Sequence, residues 1–295
     1  ATRWFPDRRG LAVGLTLLGF GFSAFVTANA AGALIAAYGV MATFRVFGAA
    51  LIAVLVLAAL PLRFPPGGWR PKGWSPPPPG VGTAPISECD RRAMLRTGAF
   101  YGLFACYFIG CLAGLAAISI AKPVGTEVAG VEAGLATVLV GFFAVFNGIG
   151  RPAFGSLADR ITPQKAAMLT FVLIAAASVL MWLVPGVPAY VLAFAVLWGC
   201  LGGWLAIAPT ATASYFGTCD YPRCYGVVFL AYGAGAIAGP QVAGFVRTAT
   251  GTYLGVFPLV AALAAVGFVA AWLLMRPPAA APVREENGRG ITPSR

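Results

Sequence analysis

Residues 131–160 read VEAGLATVLVGFFAVFNGIGRPAFGSLADR, and between Glu132 and Asp159 the only charge is Arg151. The apolar run exceeds the ~20 residues that a helix needs to cross a hydrocarbon core ~30 Å thick. It is continuously apolar and lacks the alternation of a transmembrane barrel strand, so it predicts a helix whose solvent is lipid. Similar runs recur at roughly 10–36, 40–62, 97–120, 165–184, 187–210, 224–246 and 253–276. Together they predict an all-α integral membrane protein with eight spans.

Composition agrees. The chain is 59% hydrophobic and 10% charged, with a mean hydropathy of +0.84, whereas a soluble domain carries about 25% charged residues. A net charge of +11 would suggest nucleic acid as a partner in a soluble protein. Here the charges fall in the connections between apolar runs, where they encode topology, and no nucleic-acid partner is expected. Of the 20 Lys and Arg, all but Arg45, Lys122 and Arg247 fall on one side. The reading is a multi-pass protein of a plasma or inner membrane with both termini cytoplasmic. There are six cysteines and no histidine. Cys219 and Cys224 have no second pair at zinc-site spacing, so neither a metal nor a cofactor is expected. An intramembrane enzyme would need a nucleophile–base pair or metal ligands, which the runs do not offer.

Residues 63–96, with Pro65, Pro66, Pro71 and the run from Pro76 to Pro79, read as a solvated cytoplasmic linker, and 277–295 as a disordered cytoplasmic tail. Two spans before the linker and six after it form a lopsided layout, which an internal comparison explains. A shift of 214 places Arg9 on Arg223, Val13 on Val227, Gly19 on Gly233, Gly21 on Gly235 and Ala24 on Ala238; after a one-residue gap, Phe44 falls on Phe257. Chance glycine matches are the competing explanation. Read as a repeat, it implies two six-helix halves. Residues 1–62 would then be the last two helices of the N-terminal half and 97–276 the C-terminal half, so about 8 of 12 helices are expected here. A start at Ala1 rather than Met fits an N-terminally truncated chain.

Six plus six helices around a cytoplasmic linker is the plan of the major facilitator superfamily, and particular residues resemble it. The segment from Gly155 to Asp159 and Arg160 is similar to the superfamily's cytoplasmic loop motif, although Thr162 and Pro163 stand where its downstream Gly-Arg would be. The resemblance implies a gating role for Gly155, Asp159 and Arg160. Within the superfamily, 3–14, 146–155, 209–217 and 235–240 resemble the oxalate/formate antiporter family. That family binds carboxylates with an arginine in its eighth helix and a lysine in its eleventh. The resemblance places the arginine at Arg151 and puts Tyr232 where the lysine would be. One of the two cations is therefore absent, and a monocarboxylate such as formate, lactate or pyruvate suits the chain at least as well as oxalate.

Without any family, Arg151 is still the most informative residue. It precedes Asp159 by eight residues, about 12 Å along a helix. A cation at the bilayer centre costs ~2.5–3.5 kcal/mol and usually faces a cavity or partner. An anionic substrate would supply the counter-charge; snorkelling to headgroups or pairing with Asp159 are the alternatives. Asn147, one turn earlier on the same face, would donate to a carboxylate or bond a neighbouring helix. Thr16, Phe20, Ser23 and Thr27 form a mildly polar stripe that would look at the cavity or serve packing. Trp204 and Tyr232, with Tyr101, Phe104, Tyr107 and Phe108, would confine a small planar anion, or belong to packing and an interfacial belt.

The function expected is transport of a small organic anion, a mono- or dicarboxylate, by alternating access in a monomer, as antiporter or symporter. No histidine or deep acid offers a proton relay in these spans, which favours exchange or facilitated uptake. The competing class is a non-transporting truncated membrane protein or scaffold.

Overall fold

The computed structural model describes residues 4–66, 69–71, 91–218 and 220–277, without the side chains of 20–26, 28, 29 and 32. The side chains of Phe20 and Ser23, the linker from 72 to 90 and the tail beyond 277 lie outside the described residues. Among the described residues the regular structure is entirely helical. Seven of these helical stretches are long and apolar enough to cross a membrane. The expectation of an all-α integral membrane bundle holds.

The first helix, α1 (Arg9–Ala59), is two helices joined at Gly39, whose φ of 77° and ψ of 170° leave the helical region. A positive φ of this kind costs glycine little and a side chain much. The arms, 9–38 and 40–59, are about 45 and 30 Å long. The Trp4 indole N–H donates to the Arg63 carbonyl at 2.9 Å, and the Trp69 indole N–H donates to the Trp4 carbonyl at 3.1 Å. Two arms whose far ends meet in this way must run antiparallel. The first two predicted spans are thus one hairpin that turns on a single residue. Its second arm exposes Leu51, Ile52, Val54 and Leu55, an apolar surface suited to lipid or to further helices.

After the short α2 (Arg91–Met94), five helices follow through connections of a few residues: α3 (Gly98–Glu127), α4 (Ala133–Ile161), α5 (Pro163–Leu183), α6 (Val187–Phe216) and α7 (Tyr221–Thr250). The last is α8 (Val256–Leu274). Side chains cap three of them. Thr97 Oγ1 accepts from Phe100 N, Thr162 Oγ1 from Lys165 N, and Glu132 from Gly134 N and Leu135 N. Only Thr162 separates α4 from α5, and its φ of 111° is a conformation that non-glycine residues rarely adopt.

The helices run longer than the apolar spans predicted. α3, α6 and α7 each have 30 residues, about 45 Å. Backbone hydrogen bonding continues past the point where side chains turn polar, whereas the apolar run marks only the lipid-buried part. α6 and α3 form the buried centre, with α4 packed between α6 and the first arm of α1, α7 against α3, and α8 against α5. Four helices carry an internal proline: Pro123 in α3, Pro152 in α4, Pro209 in α6 and Pro240 in α7. Each proline removes one hydrogen bond from its helix and loosens it locally.

Candidate functional site

Arg151 lies ten residues before the end of α4, about 15 Å along the helix. It is 2% exposed. Two short arcs of chain hold its guanidinium. One terminal NH₂ group donates to the Leu17 carbonyl of α1, and the other donates to Asn147 Oδ1 at 3.0 Å. Asn147, one turn earlier on α4, uses its own NH₂ to donate to the Trp198 carbonyl of α6 at 3.1 Å. The carboxamide therefore makes the helix-to-helix bond and orients the arginine at the same time, and its oxygen is engaged by Arg151 itself.

Rings from three other helices complete the layer. The hydroxyls of Tyr107 (α3) and Tyr232 (α7) lie within electrostatic reach of the Arg151 guanidinium. Tyr107 stacks with Trp204 (α6) at 6.0 Å between centroids and lies 6.5 Å from Tyr232. Trp204 is fully buried, and its indole N–H makes no hydrogen bond among the described residues. Its ring rests against Gly110, where a Cβ would overlap the indole. Such a donor, desolvated without a partner, costs on the order of 1–3 kcal/mol. Tyr107, Arg151, Trp204 and Tyr232 all sit roughly 14–18 Å from the helix end nearest the chain termini, counted at 1.5 Å per residue. The helices that supply them are the four with internal prolines.

Of the residues singled out from sequence, the structure thus brings together Arg151, Asn147 and Tyr232, while Trp204 joins them only through its stacking on Tyr107. It places Thr16 elsewhere: its hydroxyl is exposed and donates to Ala12 O on its own helix at 2.8 Å. The face of the first arm that meets α4 is instead Gly10, Val13, Gly14 and Leu17. Tyr101 is 61% exposed, outside the layer. Tyr225 is not among the residues that the sequence marks, yet the Tyr107 side chain interacts with it. Its spacing of seven from Tyr232, two helical turns, was the available signal.

The motif residues lie at the end of α4. Asp159 Oδ1 accepts from Gly10 N at 2.8 Å and Oδ2 from Leu11 N at 2.9 Å, so the carboxylate satisfies two donors that the first turn of α1 leaves open. Gly155 lies backbone to backbone against Gly10, and Gly14 packs on Arg151 and Pro152 in the same seam. Arg9, from the same turn of α1, reaches the Ala213 carbonyl of α6 at 3.4 Å. Arg160 is exposed in the last turn of α4, where a cation suits the carbonyl end of the helix dipole.

Comparison with known proteins agrees with this architecture. The family model described as Major Facilitator Superfamily matches residues 1–214 and 103–294. The chain is 28% identical over 252 residues to the oxalate:formate antiporter of Oxalobacter formigenes, covering 84% of this chain and 58% of that protein. It is 22% identical over 236 residues to the uncharacterized MFS-type transporter YhjX of Escherichia coli K12, covering 80% and 57%. It is also 30% identical over 276 residues to an uncharacterized 38 kDa protein of the 23S RNA operon of Thermoproteus tenax, covering 92% and 65%. The chain thus spans less than two thirds of the length of these relatives. Among solved structures it is similar to the major facilitator transporter FucP in its outward conformation, with a TM-score of 0.59 and 19% identity over 79% of this chain and 54% of that one. Membrane-length apolar helices, an all-helical bundle and a family match over most of its residues lead to one conclusion: this chain is an integral, multi-pass member of the Major Facilitator Superfamily.

Proposed function

We propose that the protein moves a small organic anion, a mono- or dicarboxylate, across the membrane by alternating access, as an antiporter or symporter. The observation that carries this reading is the buried Arg151 guanidinium, held by Leu17 and Asn147 within reach of two tyrosines about 15 Å from the helix end. A guanidinium presents a planar fork of donors that matches a carboxylate. Its burial in the membrane is costly enough to mark a functional residue. The relative named as an oxalate:formate antiporter supports the same class of substrate.

In this reading the first arm of α1 belongs to the N-terminal half and α3–α8 form the C-terminal half. The Leu17 carbonyl then occupies, on Arg151, a place that a substrate oxygen takes when α1 withdraws. Asn147 keeps the guanidinium aimed while that exchange takes place. Tyr232 and Tyr107 offer hydroxyl donors where a second cation would clamp a dicarboxylate, which suits a monocarboxylate. Asp159, Gly155 and Gly10 close the end of the bundle near the termini, and opening requires that Asp159 release the α1 N-terminus. The excess of Lys and Arg at that end supports a cytoplasmic position for it.

The test is exchange of radiolabelled formate and oxalate in proteoliposomes that contain the intact protein. Saturable exchange that Arg151→Gln abolishes is the expected result. Exchange untouched by Arg151→Gln would move the site elsewhere, and movement of neither anion would overturn the substrate class.

A further inference from the structure

At the start of α7, Arg91, Arg92, Arg223 and Asp220 line a cavity of about 490 Å³. Among the described residues, three cations face one carboxylate there. Asp220 organises the group: it pairs with Arg223 Nε at 3.7 Å and accepts from the Arg91 backbone N–H at 3.4 Å. The Arg223 side chain is 76% exposed, so it remains available to an ion arriving from water.

From this cavity a line of rings leads inward along α7. Tyr221 follows Asp220 directly and stacks on Tyr225, with 5.7 Å between centroids and 2° between planes. Tyr225 meets Phe229 at 5.7 Å, and Phe229 stacks on Tyr232 at 5.1 Å. Tyr232 lies 6.5 Å from Tyr107, beside Arg151. Positions 221, 225, 229 and 232 fall on one face of a helix and span about 16 Å of its length. The face carries the hydroxyls of Tyr221, Tyr225 and Tyr232, which are donors to an anion, with the Phe229 ring packed between Tyr225 and Tyr232.

We infer that Arg91, Arg92 and Arg223 form an anion-collecting vestibule, and that the tyrosine face of α7 conducts a small carboxylate from it to Arg151. The inference rests on the carrier reading above and adds the route and its attracting charge. Clefts lined by one sign of charge raise local counter-ion concentration and association rate, and salt screens the effect. The unequal charges of the described lining predict opposite effects from opposite substitutions: neutralising the arginines weakens capture, whereas neutralising Asp220 strengthens it.

The experiment measures formate exchange by the intact protein in vesicles of phosphatidylcholine alone, and again with phosphatidylglycerol added. The proteins compared are the parent, Arg91→Gln/Arg92→Gln/Arg223→Gln, Asp220→Asn and Arg151→Gln. In phosphatidylcholine at low salt, the triple variant should raise the KM for formate by about 3–10-fold with turnover unchanged. Asp220→Asn should lower it, and both shifts should fade at high salt. Because the two variants move KM in opposite directions, a general loss of fold cannot imitate the result. Unchanged KM in both, with Arg151→Gln inactive, overturns the vestibule and leaves the carrier reading standing. Shifts seen only with phosphatidylglycerol assign the arginines to lipid headgroups and also overturn it. If the parent moves neither formate nor oxalate, both readings fall.

Discussion

The carboxylate of Asp159, in the last turn of α4, accepts the backbone N–H groups of Gly10 and Leu11 at 2.8 and 2.9 Å in the first turn of α1. An acid at the end of one helix thereby caps the beginning of another, far away in sequence. Charge-assisted bonds of this type contribute roughly 1.5–3 kcal/mol. Asp159→Ala should raise the amide hydrogen-exchange rates of Gly10 and Leu11 by one to two orders of magnitude, since 1.4 kcal/mol is about a factor of ten. Mass-spectrometric exchange on the purified protein reads this directly, and unchanged protection would show that the cap contributes nothing.

The glycine seam beneath that cap is tight. A Cβ at Gly14 would stand 2.5 Å from the Arg151 carbonyl oxygen and 2.7 Å from Pro152 Cα. Both are backbone atoms that cannot rotate away, so Gly14→Val should cost about 1–3 kcal/mol or separate the helices. Nothing described lies within 4 Å of a Cβ at Gly244, and Gly244→Ala should leave stability unchanged or raise it by about 0.5–1 kcal/mol. Thermal unfolding in detergent should therefore show a lower Tm for the first variant and none for the second.

Arg151 donates from two separate nitrogens to Leu17 O and Asn147 Oδ1. A lysine has one nitrogen on a flexible stem and cannot reproduce that planar fork. Arg151→Lys should therefore lose at least about ten-fold in formate exchange even though the charge is kept. Asn147→Ala removes the bond to Trp198 as well as the orienting oxygen, and should lower exchange and also destabilise the fold by about 1–3 kcal/mol. Measuring exchange and Tm together separates the two effects: the lysine variant should lose activity with little change in Tm.

Glu132 caps α4 by accepting from Gly134 N at 2.9 Å and Leu135 N at 3.3 Å. These bonds favour the ionised form and hold its carboxyl below the ordinary range. A depressed value means that the cap's contribution is present above the ordinary carboxylate range and is lost as pH falls through the lowered value. Exchange of the Gly134 and Leu135 amides, corrected for intrinsic rates, should accelerate at acid pH. Glu132→Gln should abolish the carboxylate-linked change.

How much of this was legible beforehand follows from the solvent. Because lipid satisfies no backbone group, each crossing must be a continuous apolar helix, and such runs are visible in sequence without any contact information. The same physics made Arg151 stand out, since a charge inside such a run has to have a reason. The family segments and the loop motif at Gly155, Asp159 and Arg160 were visible in the same way. What stayed hidden is which faces meet. In a soluble helix a polar side marks the outside, but in α3, α4 and α6 the faces toward neighbours and toward lipid are both apolar, so the rotation of each helix leaves little trace in its residues. Thr16 illustrates this: it lies off the face that meets α4, because that face is set by Gly10, Gly14 and Gly155, which let backbones touch. The apolar runs and motif segments alone specify a bundle of membrane helices of this superfamily with one conspicuous cation inside a span. The folded bundle is needed to show that Leu17 and Asn147 hold that cation, that Tyr107 and Tyr232 lie within electrostatic reach of it with Trp204 stacked on Tyr107, and that Asp159 closes on α1. Those relationships come from backbone groups and ring faces on different helices, and packing alone brings them together.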